Sequence, residues 1–143
     1  MVLDPKIWGP HYWFFLHTVA LNYPLYPNDI SKKKYYDFIE NFPLFIPVPD
    51  IANSFSKILD EFPVTPYLDS RESFIKWIHF IHNKININLN LPEQTLDESL
   101  KNYYELYRDE KTLANKEIIS KKKLLYISIL ISLFTLSIFI YKK

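Results

Sequence analysis

Apolar residues recur at helical spacing along most of the first ninety positions. Tyr35, Phe38, Ile39 and Phe42 fall three or four apart, as do Ile51, Phe55, Ile58 and Leu59, and Phe74, Ile78, Ile81 and Ile85. Each set lines one face of a helix. Ahead of them, a first helix runs to about Tyr23, before Pro24. Pro10 can occupy its first turn, where the missing N–H would be unpaired anyway. Start and stop signals bound the others. Asn28 or Asp29 can cap a second helix, through Lys32 to Asn41, ending at Pro43. A third starts near Pro49-Asp50 and ends before Pro63. A fourth opens on Asp69 with Glu72 three residues on, a capping-box-like pair, and runs to about Leu89. Thr95 and Glu98 form a second such pair, starting a fifth helix through about Arg108. Prolines fall between these segments rather than in their middles, and no strand alternation persists. The pattern predicts an all-α protein, a four-helix bundle plus a short fifth helix.

The tail has a different pattern. From Leu124 to Tyr141 the chain carries no charge. As a helix this run would rise ~27 Å, close to the ~30 Å hydrocarbon thickness of a bilayer. Tyr126 and Tyr141 sit near its ends, where aromatic side chains favour an interface. Ser128, Ser132, Thr135 and Ser137 leave a polar stripe, and so a buried core helix, open. The expectation is a transmembrane helix over 124–141, joined by a charged linker at 109–123 to a helical domain over 1–108. That makes a single-pass membrane protein with a C-terminal anchor and its N-terminal domain on the cytosolic side. Lys121 to Lys123 and Lys142-Lys143 flank both ends, so charge does not fix the orientation. Met1 to Pro5 shows neither the basic region nor the apolar run of a secretory signal.

Composition narrows the chemistry. With 143 residues, 48% hydrophobic and 17% aromatic, the chain can bury a core without staples and is not a disordered segment. A net charge of +1 argues against a nucleic-acid surface. The single glycine, Gly9, excludes a Gly-rich phosphate cradle. Zero cysteines excludes disulfides, thiolate metal sites and cysteine nucleophiles. Of the four histidines, His11, His17, His79 and His82, none sits in a zinc pattern. His79 and His82, three apart, leave a metal pair open beside the plainer reading of stacked or hydrogen-bonded rings.

Two clusters carry the candidate site. One is Trp8-Gly9-Pro10-His11-Tyr12-Trp13, followed by His17; the other is Trp77, His82-Asn83 and Asn86. Trp13 and His17 are spaced i, i+4, as are His82 and Asn86, which puts each pair on one helix face. Planar rings beside amide donors and acceptors suit a flat heteroaromatic ligand. Each cluster alone reads equally as packing.

Together the clusters resemble the FAD-linked sulfhydryl oxidases of the Erv/ALR type, over roughly residues 6 to 92. In that family a Trp-Gly-x-x-x-Trp-x-x-x-His helix and a His-Asn-x-x-Asn helix hold the flavin, and Tyr23-Pro24 matches the Tyr-Pro that ends the first helix. The resemblance implies FAD as cofactor. It implies Trp8, Gly9, Trp13, His17, Tyr23, His82, Asn83, Asn86 and Leu89 as its contacts, with Trp13 and His17 beside the flavin and adenine-ribose. Tyr23 would close the pocket, and His82, Asn83 and Asn86 would address adenosine and pyrophosphate. It also implies a homodimer through the first two helices, or a heterodimer with an active paralogue. The chain's size is similar to that of viral members, which implies a virion-associated setting. Two departures stand out. The family's Cys-x-x-Cys reads Val48-Pro49-Asp50-Ile51, so no catalytic residue is assigned. Where the family carries a Lys or Arg facing phosphate, the chain reads Asn88-Leu89-Asn90-Leu91. The family reaction, thiols oxidised to a disulfide with electrons passed through FAD to oxygen, therefore lacks its dithiol here. An interaction module, or a membrane-anchored structural protein without flavin ancestry, stays open on sequence alone.

Overall fold

A computed structural model describes residues 3–108 and 110–141; for 110–117, 136, 139 and 140 it describes the backbone alone. Every regular element of the described backbone is helical: α1 Pro5–Leu21, α2 Asp29–Asn41, α3 Pro49–Glu61, α4 Arg71–Asn88, α5 Leu96–Glu105 and α6 Glu110–Tyr141. Short 3₁₀ turns at Phe42–Phe45 and Thr65–Tyr67 follow α2 and α3. The chain divides into two compact units, one up to Tyr103 and one from Tyr104 on.

In the first unit α1 packs along α4, and both feed one core. Leu16, Ala20 and Tyr23 from α1 meet Ile39, Phe55, Ile58 and Leu59, and the α4 stripe of Phe74, Trp77, Ile78, Ile81 and Ile85. Polar atoms carried into this core are paired, as burial demands. Tyr23 is fully buried, and its hydroxyl donates to the Leu68 carbonyl at 2.7 Å. Arg71 Nε donates to the Tyr23 carbonyl. Trp77 Nε1 donates to the Phe62 carbonyl at 3.1 Å. These bonds fasten the end of α1 and the α3–α4 connection to α4.

Helix ends follow the capping rules, with two shifts from expectation. Asn28 caps α2 through a 2.8 Å bond from the Ser31 N–H. Thr95 and Glu98 close a reciprocal capping box at α5, at 3.2 Å and 2.8 Å. α1 starts earlier than Pro10: Asp4 caps it, Pro5 takes the first turn, and Pro10 lies inside the helix. The strong cap at Asp4 wins over the proline's lost hydrogen bond. At α4 the cap is Ser70, not Asp69. Asp69 instead pairs with Lys32 at 2.7 Å, and Glu72 with Lys76 at 2.6 Å.

α4 ends through Asn90, the one described non-glycine residue with positive φ, at 56°. The Leu91 N–H reaches back to the Asn86 carbonyl at 2.8 Å, which completes a Schellman-type stop. Asn90→Gly should leave stability unchanged or slightly raised, while Asn90→Val should cost roughly 1–2 kcal/mol because a β-branched residue resists this conformation. Thermal melts of the two variants test this.

The second unit contains α6. Its helix begins at Glu110, so residues 110–123, expected as a linker, are helical; residue 109 lies outside the described ones. Among the described residues no helix is long and apolar enough to cross a membrane. This corrects the expected transmembrane helix over 124–141. The side chains at 136, 139 and 140 lie outside the described ones, and Ser128, Ser132, Thr135 and Ser137 interrupt the apolar run that remains. Ser128 and Thr135 each turn a hydroxyl back onto a backbone carbonyl at 2.8 Å. The single-pass C-terminal anchor, and the cytosolic placement of the N-terminal domain derived from it, fall with the span.

Candidate functional site: an apolar cleft beside a histidine cluster

The N-terminal half of α1, the start of α3 and the end of α4 enclose a cleft of about 410 Å³, counting the solvent at its mouth. Trp8, Gly9, Trp13 and Leu16 form one wall, Ile51 and Phe55 a second, and Ile85 and Leu89 a third. Its floor at Gly9 is open: a Cβ added there would meet nothing within 4 Å. Tyr12 steadies the rim by donating its hydroxyl to the Phe45 carbonyl at 2.9 Å. The lining is almost wholly apolar. A flat ring system fits such a place; an isolated charge does not.

Trp13 joins the cleft to the second cluster. Its ring stacks on His82 with centroids 4.0 Å apart and planes 13° from parallel. His82 Nδ1 lies 3.3 Å from His17 Nε2, which is itself 3.4 Å from Ser99 Oγ on α5. Tyr103, one turn further on, stacks on Phe14 at 5.1 Å and shares a 2.9 Å hydrogen bond with Thr18. The amides of α4 face the α4–α5 connection. Asn83 Nδ2 donates to the Gln94 carbonyl at 2.8 Å, and its Oδ1 accepts from the Gln94 N–H at 3.1 Å. Asn86, buried, donates to the Pro92 carbonyl at 3.5 Å.

The two sequence clusters therefore meet. Trp8, Gly9, Trp13, Leu89 and Ile51 line the cleft, His82 stacks on Trp13 and pairs with His17, and Asn83 and Asn86 bond instead to the α4–α5 connection. Tyr23 and Trp77 lie instead in the core. Val48 precedes α3 as its N-cap residue, without a side-chain cap. Among the described residues no group of metal-binding side chains occurs, so the pairing of His79 with His82 gains no support as a metal site. Sequence reasoning missed Gln94, Ser99 and Tyr103. The Thr95–Glu98 box sets the register of α5, and from it Ser99 and Tyr103 share a face at i, i+4; that signal was present.

Burial disfavours the charged form of His17, His79 and His82. Desolvation, with the neighbouring His79, holds His17 down at about 4. Desolvation, then His17 and His79, holds His82 at about 3. Burial lowers His79 as well, partly offset by the Gln94 backbone. Because these values lie below the ordinary one near 6.5, the unfolded chain takes up protons first as pH falls. Stability from the pair is complete above about pH 6.5 and is lost as pH falls through about 4 and then 3. The expected loss, on the order of 3 kcal/mol, should appear as a steep drop in Tm between pH 6 and pH 4. Replacing both His17 and His82 by Gln should flatten it.

Comparison with known proteins places this arrangement. The model of the Erv1 / Alr family matches residues 10–105, from α1 to the end of α5. A probable FAD-linked sulfhydryl oxidase of Acanthamoeba polyphaga mimivirus is 32% identical over 116 residues, 80% of this chain and 77% of that protein. The mitochondrial FAD-linked sulfhydryl oxidase of Schizosaccharomyces pombe is 33% identical over 84 residues, 59% of this chain and 46% of that one. Among solved structures, the yeast Erv1 core superimposes with a TM-score of 0.65 at 30% identity, covering 72% of this chain and 86% of that one. The FAD-binding domain of Erv1 from Saccharomyces cerevisiae gives the same TM-score and identity over 73% of this chain and 97% of that domain. The chain belongs to the Erv1/Alr family.

Proposed function

We propose that this chain holds FAD in the cleft between α1, α3 and α4 and does not perform the family's thiol oxidation by a dithiol of its own. The open floor at Gly9, flanked by Trp8 and Trp13 and faced by Ile51, carries the reading. Trp8, Gly9, Trp13 and Leu89 would hold the ring. By the family resemblance, His17, His82, Asn83 and Asn86 would address the polar half of the cofactor, while Tyr23 is buried in the core with its hydroxyl on the Leu68 carbonyl. FAD, when bound, supplies a two-electron acceptor that oxygen can re-oxidise. The chain's own residues bind it, orient it and exclude water. They offer no thiolate, the species that reacts in disulfide exchange, because Val48 and Ile51 stand at the dithiol positions. Among the described residues no cation lines the cleft: Lys84 lies over the Phe62 and Phe80 rings, at 5.1 Å and 5.2 Å. A pyrophosphate would therefore bind without an ion pair, and affinity should be modest.

Titration with FAD, followed by quenching of its fluorescence, tests this. The parent chain should bind. Gly9→Leu should weaken binding by about tenfold or more by filling the floor. The same change should raise Tm slightly, because glycine inside a helix costs about 0.5–1 kcal/mol. A parent that ignores FAD, or a Gly9→Leu variant that binds as tightly, refutes the assignment.

A second reading has its own observation. On the outer face of α1 and α2, Phe15 is half exposed and meets Phe38 edge-on, and Ile30 and Tyr36 are exposed nearby in sequence. This face would support self-association, or pairing with a family member that retains its dithiol. Light scattering on the full chain separates a dimer from a strict monomer, and a monomer removes the reading.

A further inference from the structure

The polar side-chain atoms around the cleft are largely spent within the chain. Of the residues that line it, Tyr12 gives its hydroxyl to the Phe45 carbonyl at 2.9 Å, and Trp8 gives its indole N–H to the Leu3 carbonyl at 3.3 Å. Among the described residues no charged group lines it, and the other lining side chains are apolar apart from the neutral indole N–H of Trp13.

The groups that the family resemblance assigns to the polar half of FAD stand outside this lining, and each has a partner of its own. Asn83 uses both ends of its amide on the Gln94 backbone, at 2.8 Å and 3.1 Å, and its Nδ2 also lies 3.3 Å from His79 Nε2. Asn86 donates to the Pro92 carbonyl. His17 and His82 face each other at 3.3 Å, and His82 covers one face of Trp13. Asn88, next to the lining residue Leu89, donates to Ser54 Oγ at 2.8 Å. An entering phosphate oxygen would have to displace one of these acceptors for each donor it gained, so the exchange returns little. Taking its charge out of water without a charged partner costs further free energy. A flat ring meets no such exchange. It removes apolar surface from water between Trp8, Trp13 and Ile51.

We propose that the cleft recognises the isoalloxazine ring alone, so that riboflavin and FMN, which lack the adenosine half, bind as tightly as FAD. This rests on the flavin-site reading and deepens it: the site takes a flat tricyclic ring whatever tail the ring carries. Ring burial supplies the affinity, and the tail stays in water. Leu89 lines the cleft and is 41% exposed, so a lysine there can bring a charge to the mouth without burying it.

Isothermal titration calorimetry of the full chain with riboflavin, FMN and FAD reads the three affinities. They should agree within about tenfold. Leu89→Lys should raise the ratio of FAD to riboflavin affinity by about threefold or more, by supplying the missing cation. A larger advantage for FAD in the parent, as a single charge-assisted hydrogen bond to phosphate would give, overturns the proposal and leaves the flavin reading standing. An unchanged ratio in Leu89→Lys overturns the assignment of the weak grip to the absent charge. A parent that binds none of the three overturns both the proposal and the flavin reading.

Discussion

Cysteines introduced together at Val48 and Ile51 should switch on thiol-dependent oxygen consumption in a chain that otherwise shows none. The expected gain is at least about tenfold over the parent, since the thiolate is the reacting species and the parent has no sulfur at either position. Ile51 already lines the cleft, and Val48 stands three residues earlier at the head of α3. A thiol at position 48 sits at a helix N-terminus, where the helix dipole favours the thiolate. Either single substitution should give little, because closing a disulfide needs both sulfurs. Oxygen uptake with a small dithiol, and hydrogen peroxide as product, checks the result. A double variant that binds FAD but consumes no oxygen would mean that the α3 end has moved relative to the cofactor.

Trp77→Ala should nearly unfold the first unit. The ring is 1% exposed and lies in the core between Phe74 and the α3–α4 connection. Emptying such a site costs about 3–5 kcal/mol. The Phe62 carbonyl also loses its 3.1 Å partner. Against a total stability of about 5–15 kcal/mol for a domain of this size, that leaves little margin. Tm should fall by roughly 15 °C or more, as read by circular dichroism. Trp13→Ala should cost less, because Trp13 is only partly buried and borders the cleft. It should weaken FAD binding instead. If the two variants lose similar stability, Trp13 belongs to the core and the cleft is not a ligand site.

The contrast between Trp13 and Trp77 shows what the sequence could and could not say. Both lie in motif clusters, but only Trp13 is assigned a flavin contact. Spacing names the residues that share a face; it does not say whether that face meets the core or a cleft. Trp77 shares its stripe with Phe74 and Ile81 and is buried with them, whereas Trp13 sits near an end of α4 where the packing opens. Tyr23, expected to close the pocket, has its hydroxyl bonded to the Leu68 carbonyl, a partner no local pattern announces. Local signals transferred better. Asn28, and Thr95 with Glu98, cap the helices they announce, because capping depends only on neighbours in the chain. Asp69 failed as a cap because Lys32, thirty-seven positions away in the chain, competes for its carboxylate. The pairing of Asn83 with Gln94, and of His17 with Ser99, was not legible, since it depends on how the α4–α5 connection folds back. The uncharged tail misled for another reason. Counting charges ignores the hydroxyls within the run, and α6 among its described residues does not reach the length and apolarity of a span.

The flavin content of the full chain as purified tests the central claim most directly. Acid release and an absorbance spectrum should give a flavin band in near-equal ratio to protein, or a band that appears once FAD is added. A colourless, folded helical protein that takes up no FAD would contradict it.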